Sequence, residues 1–118
     1  MLKTKRVYEP PSPDDGYRVL TERLWPRGVS KETARLDRWL KGVAPSHELR
    51  KWFSHDPQKW DEFRDRYLKE LYGSGAVEEL VDIISENDIV TMVYASKDEN
   101  HNSTVLLKEF LEKLLESG

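Results

Sequence analysis

Ile89-Val90-Thr91-Met92-Val93-Tyr94-Ala95 is apolar at every position except Thr91, and it is rich in β-branched and aromatic residues. Such a run fits a strand buried on both faces, as in a parallel sheet covered by helices. Its flanks agree. Upstream, Val77, Leu80, Val81 and Ile84 form an apolar stripe at helical spacing. Downstream, the polar stretch from Ser96 to His101 reads as a loop. Asn102 or Ser103 then reads as the cap of a last helix carrying Val105, Leu106, Phe110, Leu111 and Leu114.

The earlier chain supplies strands to pair with it. Lys3 to Tyr8 reads as a first strand. Three prolines and a glycine between Glu9 and Gly16 forbid a regular element there. The β-rich stretch from Tyr17 to Leu24 reads as a second strand. Ser30 to Leu36 fits either a short helix or a polar loop, and Leu36 to Leu40 a short strand. Ser46, with Glu48 behind it, marks a helix start that places Leu49, Trp52 and Phe53 on one face. Asp56-Pro57 marks another, followed by Trp60, Phe63, Tyr67, Leu68 and Leu71 and closed by Gly73. Strand, strand, helices, buried strand, helix is an α/β order. The expected fold is a small three-layer sandwich, a mostly parallel sheet flanked by helices, in a single domain over residues 1–118.

Composition narrows the function. The net charge of −3 argues against a general nucleic-acid coat. Twelve aromatics and clear periodicity argue against disorder. With no cysteine, disulfides, thiolate metal sites and cysteine nucleophiles are excluded, and a reducing, cytoplasmic setting is expected. No stretch approaches the roughly 18 apolar residues of a membrane span, so no membrane partner is expected.

The chemistry concentrates where the second strand ends, at Arg23-Leu24-Trp25-Pro26-Arg27-Gly28. Pro26 pushes Trp25 toward an extended backbone, and Gly28 permits a turn. Arg23 and Arg27 carry forked donors that match phosphate or carboxylate oxygens. In open α/β sheets, ligands bind beyond the carboxyl ends of the strands. If the last strand runs parallel to the second, the loop Ser96-Lys97-Asp98-Glu99-Asn100-His101-Asn102 reaches the same edge. Arg23, Arg27 and Lys97 would then hold an anion. Trp25 and Gly28 would shape its pocket, while Glu22, Asp98 and Asn102 would orient groups. Each residue also has a structural reading: Arg23 as a staple to Asp14, Asp15 or Asp98, Trp25 as packing beneath the loop, Pro26 and Gly28 as turn formers, Lys97 as a solvated lysine, His101 as a cap.

No nucleophile is assigned, and the residues specify no cofactor. His47, His55 and His101 lack metal-ligand spacing, so no metal is expected. Walker, Rossmann and nucleophile-elbow patterns are absent from the sequence. Arg27, Lys31, Arg35, Arg38 and Lys41 form a basic stretch, but Glu32 and Asp37 interleave it, which favours a solvated face over nucleic-acid binding.

Asp15-Gly16-Tyr17-Arg18-Val19-Leu20, continuing into Arg23-Leu24-Trp25-Pro26-Arg27-Gly28, resembles the signature of the YeaO-like branch of the domain-of-unknown-function family 488. Pro45-Ser46-x-Glu48-Leu49-Arg50, Phe63-Arg64-x-x-Tyr67-Leu68-x-Glu70-Leu71 and Tyr94-x-x-Lys97 are similar too, so the resemblance runs from Arg6 to Leu115. It implies a small α/β domain with a largely parallel sheet, and no established reaction. Two positions depart from the pattern. Glu22 stands where members often carry Asp, and Asn102-Ser103-Thr104 where many carry Asn-His-Ala, so a histidine mechanism there does not transfer. The sequence therefore favours a domain that binds a small anionic ligand, a nucleotide or a phosphorylated metabolite. A non-catalytic interaction protein or homodimer is the alternative, because Trp39, Trp52, Trp60 and Tyr72 exceed what a small core needs.

Overall fold

The computed structural model of the protein describes residues 1–117. Four strands form one sheet in the order β1-β4-β2-β3, with β1 at Leu2–Arg6, β2 at Tyr17–Leu20, β3 at Arg38–Trp39 and β4 at Val90–Tyr94. All neighbours are parallel. Leu2 pairs with Val90, Tyr17 with Val90, and Val19 with Arg38. The apolar run around Met92 is thus a central strand, buried at all five positions. Because β2 and β4 run side by side in the same direction, both leave the sheet at one edge, as the sequence predicted.

Four helices cover one face: α2 (His47–Phe53), α3 (Trp60–Leu71), α4 (Gly75–Glu86) and α5 (Ser103–Ser117). Val19, Val90 and Met92 of the sheet pack there with Leu49, Phe63, Tyr67, Leu80 and Leu107. The opposite face is thinly covered, by the chain between β2 and β3 with its single-turn helix α1 (Lys31–Ala34). Leu20, Val93 and Val7 pack there against Ala34, Trp25 and Trp39. The sandwich therefore has three layers of unequal weight. Among the described residues, no helix is long and apolar enough to cross a membrane.

Local chemistry sets the boundaries. Ser30, Ser46 and Asp56 each accept a backbone N–H at a helix or turn start. Asp56-Pro57 opens a 3₁₀ turn, Pro57–Lys59, that leads into α3 at Trp60. The second strand stops at Leu20, four residues earlier than its composition predicts. Thr21 still donates its N–H to the Val93 carbonyl, at 3.1 Å. Its hydroxyl then turns to Thr104 at 2.9 Å, and beyond it the Glu22 carbonyl accepts the Trp39 indole N–H at 2.6 Å. Those bonds carry the chain out of the sheet before the apolar pattern ends. Asn102, one of two expected caps, accepts the Val105 N–H on Oδ1 at 2.9 Å.

Candidate functional site

The Thr21–Thr104 bond joins the exit of β2 to the first turn of α5, just after β4 leaves the sheet. Beyond it opens a cleft of about 340 Å³. Glu22 and Arg23 reach it from β2, Ala95 and Ser96 from β4, His101, Asn102 and Ser103 from the start of α5, and Arg50, Phe53 and His55 from α2 and its end. Phe63 of α3 closes the apolar side. A cleft of this size, at the carboxyl ends of two central parallel strands, is where such folds bind ligands.

Arg23 is half-buried and held on one edge. Nε donates to the Pro45 carbonyl at 3.0 Å and Nη2 to the Ala44 carbonyl at 2.9 Å. The guanidinium has five donors, so those two bonds fix its plane and leave others for the cleft. The carboxylate staples that the sequence suggested for it are replaced by these carbonyls. Arg50 makes no side-chain hydrogen bond or ion pair among the described residues, and its charge acts on Glu22 across the cleft. Among the described residues, Glu22 is the one acid in the cleft lining. Burial pushes its pKa up, against the opposing pull of a hydrogen bond from the Ala95 N–H and the charges of Arg50 and His55. Two arginines against one carboxylate give the cleft a positive balance.

His55 sits at the mouth with φ +56°, directly after Ser54 at φ +46°. Two consecutive non-glycine residues in the left-handed region carry a strain of order 1–3 kcal/mol each, a feature that clusters at functional sites. Asn102 donates through Nδ2 to the Asp98 carbonyl at 2.8 Å while capping α5. Both of its polar atoms are engaged, and it positions the loop. Asp98 accepts the N–H groups of Asn100 and His101, each at 2.9 Å, and those bonds hold its pKa below the usual carboxylate value. Its Oδ2 lies 3.3 Å from His101 Nδ1.

The residues expected from the sequence therefore divide. Arg23 and Asn102 line the cleft; Asp98 borders an adjoining hollow. Trp25 belongs to the thin side of the sheet, edge-on to Trp39 at 5.4 Å and donating its indole N–H to the Val29 carbonyl at 2.6 Å. It is loop packing. Arg27 and Gly28 are exposed on the same loop, and the Arg27 carbonyl accepts the Tyr8 hydroxyl at 3.1 Å. Lys97 is exposed and lines neither hollow. Sequence reasoning missed Arg50, Phe53, His55 and Phe63 as site residues. Their signal was partial: Arg50 follows buried Leu49 on a well-capped helix, but nothing local says that this helix faces the sheet edge.

The basic stretch after Gly28 is broken up. Arg38 pairs with Glu79, and Lys41 lies 4.1 Å over the Trp39 ring. The surplus aromatics also have intramolecular partners. Trp52 lies beneath Arg66 and Lys59, Trp60 packs on Phe53 and Phe63, and exposed Tyr72 stands edge-on to Phe110.

Comparison with known proteins gives this geometry a family. A protein of Mycobacterium tuberculosis strain H37Rv, named as uncharacterized, is 42% identical over 110 residues, covering 93% of this chain and 92% of its own length. The uncharacterized protein YeaO of Escherichia coli is 37% identical over 113 residues, covering 96% and 98%. No solved structure matches. A family model described as "Inactive DUF488-N3 subclade" matches residues 1–118. The chain belongs to the domain-of-unknown-function 488 family, in that N3 subclade and alongside YeaO.

Proposed function

We propose that this protein binds a small anionic ligand, phosphate-bearing or carboxylate-bearing, in the cleft between the exits of β2 and β4, without transforming it. The observation that carries this reading is the pairing of Arg23, immobilised by the carbonyls of Ala44 and Pro45, with Arg50, which makes no hydrogen bond or ion pair among the described residues, in one cleft. A fixed guanidinium loses little freedom on gripping an anion, and a second supplies the charge balance. Binding without reaction is supported by the description of the matching subclade as inactive. The departure at Ser103 from the Asn-His-Ala pattern that the family resemblance implies points the same way.

The test is a thermal-shift titration with inorganic phosphate, sulfate and ribose 5-phosphate on wild type, Arg50→Ala and Arg27→Ala. A ligand present at ten times its Kd stabilises the native state by about 1.4 kcal/mol. Stabilisation of wild type and Arg27→Ala, with loss in Arg50→Ala, supports the cleft. Loss in Arg27→Ala alone moves the site to the exposed loop. No stabilisation by any anion overturns the reading and leaves the interaction-protein alternative.

A further inference from the structure

The cleft does not end at Arg23 and Arg50. Phe53, His55, Ser96 and His101 also line a second hollow beside it, completed by Pro57, Gln58, Trp60, Asp61 and Asp98. The two compartments share a wall and differ in charge. The first holds the arginines. Among the described residues, the second has no arginine or lysine in its lining and two carboxylates. Its wall belongs to an aromatic ladder: Phe53 stacks on Phe63 at 4.3 Å, Trp60 on Phe63 at 5.6 Å, and His101 stands edge-on to Trp60 at 5.2 Å.

We propose that the two hollows together hold a nucleoside monophosphate, with its phosphate between Arg23 and Arg50 and its base against Phe53 and Trp60, read by Asp61. This assignment rests on the anion site proposed above and adds the class of ligand. A planar π-system suits the aromatic wall, since stacking is available to every base. The carboxylates differ in availability. Asp98 is occupied by the N–H groups of Asn100 and His101 and by the His101 ring. Asp61 is exposed and has no hydrogen bond or ion pair among the described residues. A carboxylate accepts only, so it selects a base edge that donates. Guanine offers two adjacent donors, N1–H and the 2-amino group, which match the two oxygens of one carboxylate. Adenine and cytosine offer an amino group alone, and uracil a single ring N–H. The opposite charges of the hollows also fix the direction of binding: phosphate is repelled from Asp61 and Asp98, and the donating base edge from the arginines.

The experiment is a calorimetric titration with guanosine 5′-monophosphate, uridine 5′-monophosphate, ribose 5-phosphate and guanosine, on wild type, Asp61→Asn and Trp60→Phe, with each variant checked for a native melting transition. Tryptophan emission is followed in parallel. The expected result is guanosine 5′-monophosphate binding at least tenfold tighter than ribose 5-phosphate, with quenching that is lost in Trp60→Phe. Asp61→Asn should weaken the nucleotide at least fivefold and leave ribose 5-phosphate unchanged. Equal affinity for ribose 5-phosphate and the nucleotides overturns the base compartment while the anion site stands. Equal losses for both ligands in Asp61→Asn also overturn it, because the carboxylate would then act on the fold rather than the base. No binding by any phosphorylated ligand overturns both readings.

Discussion

Arg23 Nε lies 3.0 Å from the carbonyl oxygen of Pro45, across 22 residues of sequence. With the parallel bond to Ala44, it ties the exit of β2 to the segment that launches α2. The same side chain therefore holds the cleft together and faces into it. Arg50 lines it with no hydrogen bond or ion pair among the described residues. Arg23→Ala is expected to cost about 1.5–3 kcal/mol, the range for hydrogen bonds from a charged group, and to abolish anion affinity as well. Arg50→Ala is expected to stay within about 0.5 kcal/mol of wild type in urea unfolding while abolishing affinity equally. A stability loss in Arg50→Ala as large as in Arg23→Ala would refute this division.

Gly16 and Gly28 share a left-handed backbone, at φ +62° and +73°, but not surroundings. A Cβ on Gly16 would meet the Ile89 carbonyl oxygen at 2.3 Å, where the sheet hydrogen bond from Tyr17 N to the same oxygen begins. A Cβ on Gly28 would meet nothing within 4 Å. Gly28→Ala should cost about 1–2 kcal/mol, the left-handed penalty alone. Gly16→Ala pays that penalty and must also move backbone at the sheet edge, so it should lower the unfolding midpoint much further. Equal costs would mean that the approach to Ile89 relaxes freely.

On the thin side of the sheet, Asp15 Oδ2 sits 2.6 Å from Arg18 Nη1, and Lys5 Nζ is 3.1 Å from the same carboxylate. The Arg18 guanidinium also donates twice to the Ala34 carbonyl, which pins α1 to the sheet. Burial pushes the Asp15 pKa up, but the Ser12 N–H, Lys5 and Arg18 outweigh it and leave it below the ordinary carboxylate value. A depressed native pKa adds stability that is present above the unfolded value, about 3.9, and is lost as pH falls through the native one. Asp15→Asn removes one partner of a buried pair, so at pH 7 it should cost about 3–5 kcal/mol. In urea unfolding between pH 7 and pH 2, the gap between wild type and Asp15→Asn should close below about pH 4. A gap independent of pH would show that the carboxylate charge is not what Arg18 needs.

The fold was legible because its signals are local. The unbroken apolar run at Val90–Tyr94 needs cover on both faces, and Ser46, Asp56 and Asn102 announce their turns through side-chain oxygens. The meeting of two loops at one edge followed from parallel pairing of β2 with β4. The membership of the site was less legible. Trp25 and Arg27 share a conspicuous motif with Arg23, yet the loop turns after Arg23 and sends Trp25 beneath the other face. Arg50 belongs to the cleft because Ser46 donates to Glu70, at 2.8 Å from its N–H, docking α2 on α3. Both facts depend on tertiary bonds between residues about twenty positions apart, which periodicity and capping do not encode.

Glu22 is the group through which pH should reach the cleft. Its native pKa is raised by burial, despite the Ala95 N–H, Arg50 and His55. For an acid with a raised native pKa, the ionised form is disfavoured by the fold. The associated stability is therefore present at low pH and declines as pH rises from the unfolded value, about 4.3, through the native one. Glu22→Gln should flatten that decline and leave the protein at least as stable at pH 7. A bound anion would add a like charge beside the carboxylate and push its pKa higher still, so binding above about pH 4.3 should draw a proton into the cleft. The difference between wild type and Glu22→Gln isolates the carboxylate. Phosphate titrations over a series of pH values above about 4.3, in buffers of different ionisation enthalpy, should give greater proton uptake by wild type. Glu22→Gln should also bind several-fold tighter at a pH above the native pKa of Glu22, where the wild-type carboxylate is ionised and repels the ligand. Identical uptake and affinity in the two proteins would place the anion out of reach of Glu22 and away from this cleft.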